Sequence, residues 1–225
     1  MFDVTGNFSL FGTLAYGFLP TFNTDRNGAR LPDVRTRNAE AGVKWDMFDD
    51  RMILNASYFE IRESNRIRNV NGFGTATPGV QGRGIDLNLS GEPLPGFSIV
   101  ASYTRTNYKF LSFDPRIGGI VNGQPRDLYS LYSSYRHKLS DDVVAGLGGG
   151  ISGKSRSAVD TLGTYYLQPT FQADLNAFAT IGKFDINVGV RNLTDRQNYL
   201  PTITSSYVPL GEPRNWRLSV GYRFR

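Results

Sequence analysis

The last ten residues, Trp216-Arg217-Leu218-Ser219-Val220-Gly221-Tyr222-Arg223-Phe224-Arg225, alternate apolar and polar side chains at every step. Successive side chains of a strand point to opposite faces. Trp216, Leu218, Val220, Tyr222 and Phe224 therefore make one apolar stripe, while Arg217, Ser219 and Gly221 face the other way. About ten residues is also what a tilted strand needs to cross a bilayer. A half-buried strand of a soluble sandwich has the same parity, so the rest of the chain has to decide.

Ten strand-like segments, bounded by Gly, Pro, Asn or Asp, fall near residues 7–19, 34–48, 51–68, 79–91, 96–110, 126–139, 142–156, 165–181, 183–195 and 212–225. Ile85, Leu87 and Leu89 alternate with Asp86, Asn88 and Ser90; Phe97, Ile99, Ala101 and Tyr103 alternate with Ser98, Ser102 and Thr104, where Val100 breaks the polar set. Leu175 and its neighbours oppose Asp174, and Val188 and its neighbours oppose Asp185, Asn187 and Arg191. A charged face repeated on strand after strand fits a wet lumen. On this reading Leu87, Phe97, Leu175, Val188, Leu218 and Val220 face lipid, and Asp86, Asn88, Asp174, Asp185, Asn187, Arg191 and Arg217 face the lumen.

The connections separate membrane barrel from sandwich. Residues 20–33, 69–78, 111–125 and 196–211 form long loops and 157–164 a moderate one, while Asp49-Asp50, Glu92-Pro93-Leu94-Pro95, Ser140-Asp141 and Gly182 make tight turns. Outer-membrane barrels alternate in this way, with short periplasmic turns and longer extracellular loops. Aromatics also collect near strand ends, Trp45, Phe48, Phe97, Phe184, Tyr222 and Phe224 toward the tight turns and Tyr16, Phe18, Tyr108 and Trp216 toward the long loops. Two such girdles suit headgroup level. The expected fold is all-β: an antiparallel transmembrane β-barrel with about ten strands in this chain.

Several function classes are set aside. A formal net charge of +5 is spread over strands and loops without a basic tract, so nucleic acid is not an expected partner. Gly148-Gly149-Gly150-Ile151-Ser152-Gly153-Lys154-Ser155 matches a phosphate-binding loop letter for letter, but strand parity runs straight through it and no helix follows. The single histidine, His137, lies between Arg136 and Lys138, and cysteine is absent, so no metal site, cofactor or catalytic group is expected. The chain does not read as an enzyme. Met1-Phe2-Asp3-Val4 leads directly into a strand-like run without a secretory signal. An exported barrel should carry one, so the chain reads as a mature protein or the later part of a longer one.

Taken in order, several motifs resemble the carboxy-terminal part of TonB-dependent siderophore receptors. These are Asn38 to Lys44 with Phe48-Asp49-Asp50-Arg51 and Leu54 to Phe59; Gly82 to Gly91 with Pro95-Gly96-Phe97-Ser98; Pro125-Arg126 with Tyr132 and Tyr135; Val190 to Asp195 with Tyr199; and Gly211 to Arg214 with Tyr222-Arg223-Phe224. The resemblance spans nearly the whole chain, residues 1–225 reading as a partial barrel domain. It implies the last ten strands of a twenty-two-strand barrel, both ends periplasmic, without the plug domain, the TonB box or the earlier strands.

It further implies an outer-membrane receptor that imports ferric siderophores with energy passed from TonB through the plug. The bilayer, lipopolysaccharide and the barrel-assembly machinery are the other implied partners, and Arg225, after the usual terminal aromatic, departs from the pattern that machinery reads. Tyr and Arg suit large anionic or catecholate-bearing ligands, so Arg116, Tyr165, Tyr166 and Tyr207 are the loop residues expected to meet the siderophore. Two other readings stay open: a small closed ten-strand barrel acting as a passive pore or adhesin, and a soluble lipocalin-like protein with its apolar stripe inside.

Overall fold

The computed structural model describes residues 1–70, 72–77, 79–112, 118–202 and 207–224. Its strands are β1 (Phe2–Thr5), β2 (Phe8–Leu19), β3 (Val34–Met47), β4 (Met52–Ser64), β5 (Arg66–Val70), β6 (Phe73–Thr77), β7 (Val80–Leu94), β8 (Phe97–Phe110), β9 (Asp127–Lys138), β10 (Val143–Lys154), β11 (Ser157–Ala158), β12 (Tyr166–Leu167), β13 (Thr170–Ile181), β14 (Phe184–Arg191) and β15 (Asn215–Tyr222). Eleven of them form one antiparallel meander in the order β1-β2-β3-β4-β7-β8-β9-β10-β13-β14-β15, and β5–β6 and β11–β12 are small hairpins outside it. Among the described residues no ladder joins β1 to β15, so the sheet stays open, a section of barrel wall rather than a closed ten-strand barrel.

The sheet has eleven strands where the sequence predicts ten. The extra strand, β1, is too short to display parity; it runs down to the turn at Gly6-Asn7 and pairs with β2 through Phe2↔Leu10 and Asp3↔Ser9. The segment expected over 51–68 breaks at Asn65, whose φ of 56° lies in the left-handed region, and resumes as β5. The segment expected over 165–181 begins at Thr170, because Tyr166-Leu167 pair back onto Ser157-Ala158 instead. Strand β7 continues through Pro93 to Leu94 after an irregularity beyond Gly91, leaving a turn at Pro95-Gly96 with Gly96 at φ 78°.

Register carries one apolar face across the sheet. Phe8 pairs with Trp45, Trp45 with Leu54 and Leu54 with Leu89. Leu89 pairs with Ala101, Ala101 with Leu131, Leu131 with Ile151 and Ile151 with Ala173. Farther along, Leu175 pairs with Val190 and Val190 with Trp216, while Ala177 pairs with Val188 and Val188 with Leu218. Leu87, Phe97 and Val220 lie on the same face. Apart from Val190, these side chains are not in a core: Leu218 is 70% exposed and Trp216 74%. Among the described residues the buried apolar side chains are instead Leu31, Val121, Ala158, Val159 and Leu167 in the loop layer, with Met52 and Val190 in the sheet. A soluble container would bury its apolar rows; in this open sheet most of them are exposed.

The opposite face holds Asp86, Asn88, Asp174, Asp185, Asn187, Arg191 and Arg217, in register with Thr104, Ser102, Gly150, Thr180, Phe178, Asn215 and Gly189. Aromatic rings on this side lie across glycines. A Cβ on Gly146 would stand 2.4 Å from the Phe178 ring, and one on Gly148 would stand 2.3 Å from the Tyr132 hydroxyl. Gly148 to Lys154 therefore form an ordinary stretch of β10, paired on both sides, rather than a phosphate cradle. Tyr108, expected in the loop-side girdle, lies on the polar face, where its ring would be 3.0 Å from a Cβ on Gly82. His137 sits exposed near the tight turns, stacked on Tyr135 with ring centroids 6.2 Å apart.

Candidate functional site

The loop edge of the polar face carries a concavity in which the sheet gathers cationic and aromatic groups. Strands β9, β10, β13 and β14, with residues 198–200 and 210–212, line a groove of about 630 Å³ whose polar wall includes Lys154, Gln172, Arg191, Asn198, Tyr199 and Glu212. Lys154 is there because it continues the polar parity of β10 to its last residue.

Glu212 organises the charges. Its Oε2 accepts from Arg191 Nη1 at 3.1 Å and from Arg217 Nη2 at 3.4 Å, and Asn215 Nδ2 reaches it at 3.3 Å. One carboxylate shared by two guanidiniums leaves the surrounding groove net cationic once Lys154 is included, which favours an anionic visitor. These pairs are exposed, so they orient side chains more than they stabilise the fold.

Asn192 fixes the strap. Among the described residues it is the most buried polar side chain, at 1% exposure. Its Nδ2 donates to the carbonyls of Arg196 at 2.9 Å and Glu212 at 3.1 Å, its Oδ1 accepts from Arg196 N at 3.0 Å, and its own N–H donates to Asp174 Oδ1 at 2.9 Å. Asn tolerates the left-handed φ of 51° better than other side chains. Six residues on, Asn198 pairs its amide with the backbone of Phe171, donating to the carbonyl at 2.8 Å and accepting from the N–H at 3.1 Å. The loop after β14 is thus held against β13.

A second loop body stands beside the groove. Ile120 N–H donates to Thr161 O at 3.0 Å, Gly123 N–H to Ala158 O at 2.8 Å and Asn122 Nδ2 to Val159 O at 3.0 Å, so residues 118–125 and 157–167 pack as one unit. The Asp160 carboxylate accepts from the backbone N–H groups of Leu162, Thr164 and Tyr165 at 2.9–3.0 Å. Those donors, Thr164 foremost, hold its pKa below the ordinary aspartate value.

The sequence-predicted residues divide. Tyr165 and Tyr166 sit on this loop body, both exposed, with Arg156 over the Tyr166 ring at 5.0 Å. Tyr207 is 69% exposed, three residues before Leu210 of the groove wall. Arg116 and Arg225 lie outside the described residues. Of the polar-face set, only Arg191 lines the groove, with Arg217 joined to it through Glu212. Asp86 is tied to Thr104 and Asn88, Asp174 to Gln172 and Asn192, and Asp185 to Thr180 and Arg223. Lys154, Tyr199 and Glu212 belong to the groove but were not expected there; for Lys154 the parity of β10 was the available signal. Among the described residues no group of three or more His, Asp or Glu side chains is placed to hold a metal ion.

Comparison with known proteins bears on what such a wall belongs to. The family model described as TonB dependent receptor-like, beta-barrel matches residues 1–193. The ferric-pyoverdine 358 receptor of Pseudomonas putida is 24% identical over 239 residues, covering all of this chain and 28% of that receptor. The catecholate siderophore receptor Fiu of Escherichia coli K12 is 26% identical over 88% of the chain and 27% of its own length. Among solved structures, the pyoverdine outer membrane receptor FpvA of Pseudomonas aeruginosa PAO1 bound to pyoverdine superposes with a TM-score of 0.80 at 25% identity, over 99% of this chain and 35% of that one. The siderophore receptor PiuA of Acinetobacter baumannii gives 0.84 at 20% identity, over 98% and 34%. The chain thus spans less than a third of the length of the curated relatives named here.

Proposed function

The chain belongs to the TonB dependent receptor-like β-barrel family, and from that premise we propose that it is a section of the barrel wall of an outer-membrane receptor for ferric siderophores, energised through TonB. The apolar face, with Leu87, Phe97, Leu175, Val188, Leu218 and Val220, meets acyl chains; the face with Asp86, Asn88, Asp174, Asp185, Asn187, Arg191 and Arg217 meets lumen water. Tight turns lie in the periplasm and the long loops outside. In this family the plug gates the lumen and contacts TonB, so the wall by itself supplies enclosure and recognition rather than transport.

The observation that carries this reading is the pairing of exposed apolar rows over eleven strands with a cationic, tyrosine-rimmed groove at the loop edge of the other face. A ferric siderophore is a bulky, often anionic chelate. Lys154, Arg191 and Arg217 offer charge-assisted hydrogen bonds to its oxygens, and Tyr165, Tyr166, Tyr199 and Tyr207 offer flat apolar surface. Arg116 is a further loop candidate on sequence grounds. Iron enters as cargo inside the chelate and needs no protein ligand.

The test is a titration of the complete receptor containing this wall with ferric pyoverdine, a ferric catecholate and metal-pseudopaline, followed by fluorescence quenching. One of the three binds in preference to its metal-free form, and replacing Arg191 and Arg217 together with Gln weakens that binding by roughly tenfold or more. No binding of any of the three overturns the siderophore reading. Binding that the double variant leaves unchanged overturns the role of the groove.

A further inference from the structure

The polar face changes character at the loop edge of β4, β7 and β8. Ser57 pairs with Asp86 and Asp86 with Thr104. Positions two and four steps along a strand share a face, so Phe59 and Ile61 stand on the side of Asp86, paired with Gly84 and Gly82. Val80 belongs to the same side, and Tyr108 lies opposite Gly82. Farther along the sheet, β10 and β13 present Lys154 and Thr170 at this edge. A wall that only has to face water needs no apolar patch there, yet Ile61 is 44% exposed on that side.

The patch lines a pocket of about 210 Å³ together with Val121 and Gln124 of the loop body. Thr106, Tyr108, Val121 and Gln124 are also walls of a second hollow, of about 400 Å³, which Arg126 and Arg156 line. The two hollows thus adjoin, one end apolar and the other cationic. Arg126 and Arg156 are exposed, and neither forms an ion pair with a described residue; Arg156 lies over the Tyr166 ring at 5.0 Å. The carboxylates in the walls are already engaged. Asp127 accepts from Tyr103 Oη at 2.8 Å and lies 3.6 Å from Arg105, and Glu63 lies 3.6 Å from Arg66. None of these walls is shared with the groove of Lys154 and Arg191.

We propose that the joined hollows bind a small amphiphilic anion, a medium-chain fatty carboxylate, separately from the groove. Its carboxylate pairs with Arg126 and Arg156, whose planar donors match two oxygens. Its chain covers Phe59, Ile61, Val80 and Val121 and removes them from water. A wholly polar ligand would leave the apolar end wet, and a neutral hydrocarbon would leave the guanidiniums without a counter-charge. The site requires that the polar face look into the lumen, whatever the cargo of the groove.

In the experiment the complete receptor containing this wall, held in phosphatidylcholine nanodiscs, is equilibrated with decanoate bearing a diazirine at its chain end, irradiated, and mapped for labelled residues. Labelling falls on Ile61, Val80 and Val121. Unlabelled decanoate competes on the order of tenfold better than butanoate, which lacks the chain, or decanol, which lacks the charge. Arg126→Gln with Arg156→Gln, which disturbs no ion pair, lowers labelling by about tenfold. Ile61→Ser lowers it likewise, and Lys183→Gln at the opposite rim leaves it unchanged. Labelling confined to Leu87 and the rest of the apolar face is partition into the bilayer and overturns the site. So does the absence of label from the pocket, as when another part of the receptor fills it, or label that the double variant does not reduce. Equal competition by decanol or by butanoate overturns the amphiphilic anion. Loss of label on adding ferric pyoverdine or a ferric catecholate makes the pocket part of the siderophore site and overturns a separate ligand. A receptor that binds no siderophore but keeps the labelling overturns the function proposed above and supports this site.

Discussion

Val188 on β14 and Leu218 on β15 stand directly opposite each other on the apolar face, while Asn187 and Ser219, one residue along each strand, are paired on the other. The side-chain period of a strand makes neighbouring positions sample opposite surroundings at nearly the same height. This pair is therefore a sensitive probe of what each face touches.

Val188→Arg or Leu218→Arg impairs folding into lipid vesicles, by about 2–4 kcal/mol if the position lies near the midplane. Ser219→Arg is tolerated. Urea titration of the complete receptor containing this wall, folded in vesicles and read by electrophoretic mobility without heating, measures both. Equal losses on the two faces would contradict the assignment.

Asn192→Ala removes three part-buried hydrogen bonds from the buried Asn192 side chain to the Arg196 and Glu212 backbone. A local loss on the order of 2–4 kcal/mol is expected. The strap over the groove then opens, and limited proteolysis cuts within 193–212 while the strands stay protected. Unchanged protection of this segment would show that the asparagine does not hold it.

The Asp160 hairpin responds to acid. Its carboxylate is held below its usual pKa by backbone donors, Thr164 first. A depressed folded-state pKa adds stability above the unfolded value and loses it as pH falls through the folded one. Amide exchange at Leu162, Thr164 and Tyr165, corrected for intrinsic rates, should accelerate below about pH 4. Asp160→Asn should exchange faster at neutral pH and lose most of the acid dependence. A pH-independent wild type would remove this role for the carboxylate.

Much of this was legible in the sequence because alternation is local. Parity over Phe171 to Ile181 and Phe184 to Val190, with Gly182 between them, names both faces of β13 and β14 without knowledge of any partner. Composition alone misleads where parity is ignored. Tyr108 is an aromatic near a strand end, yet its even position sets it on the polar face, and Arg62, Arg83 and Arg105 are charged residues on the apolar one. The loop body and the groove were not legible, since they depend on contacts between distant segments, such as Ile120 with Thr161 and Glu212 with both Arg191 and Arg217. Asn192 reads as one letter of a family motif; only the packed structure makes it a clamp.

The chain contains two tryptophans, Trp45 toward the tight turns and Trp216 toward the long loops, both on the apolar face. Fluorescence of the complete receptor containing this wall, with Trp45 and Trp216 kept as its only tryptophans, in vesicles with brominated acyl chains, compared with quenching by aqueous iodide, asks directly which face meets hydrocarbon. Strong quenching of both by the brominated lipids and weak quenching by iodide is the expected result. Accessibility of both to iodide with no effect of bromination would contradict the account.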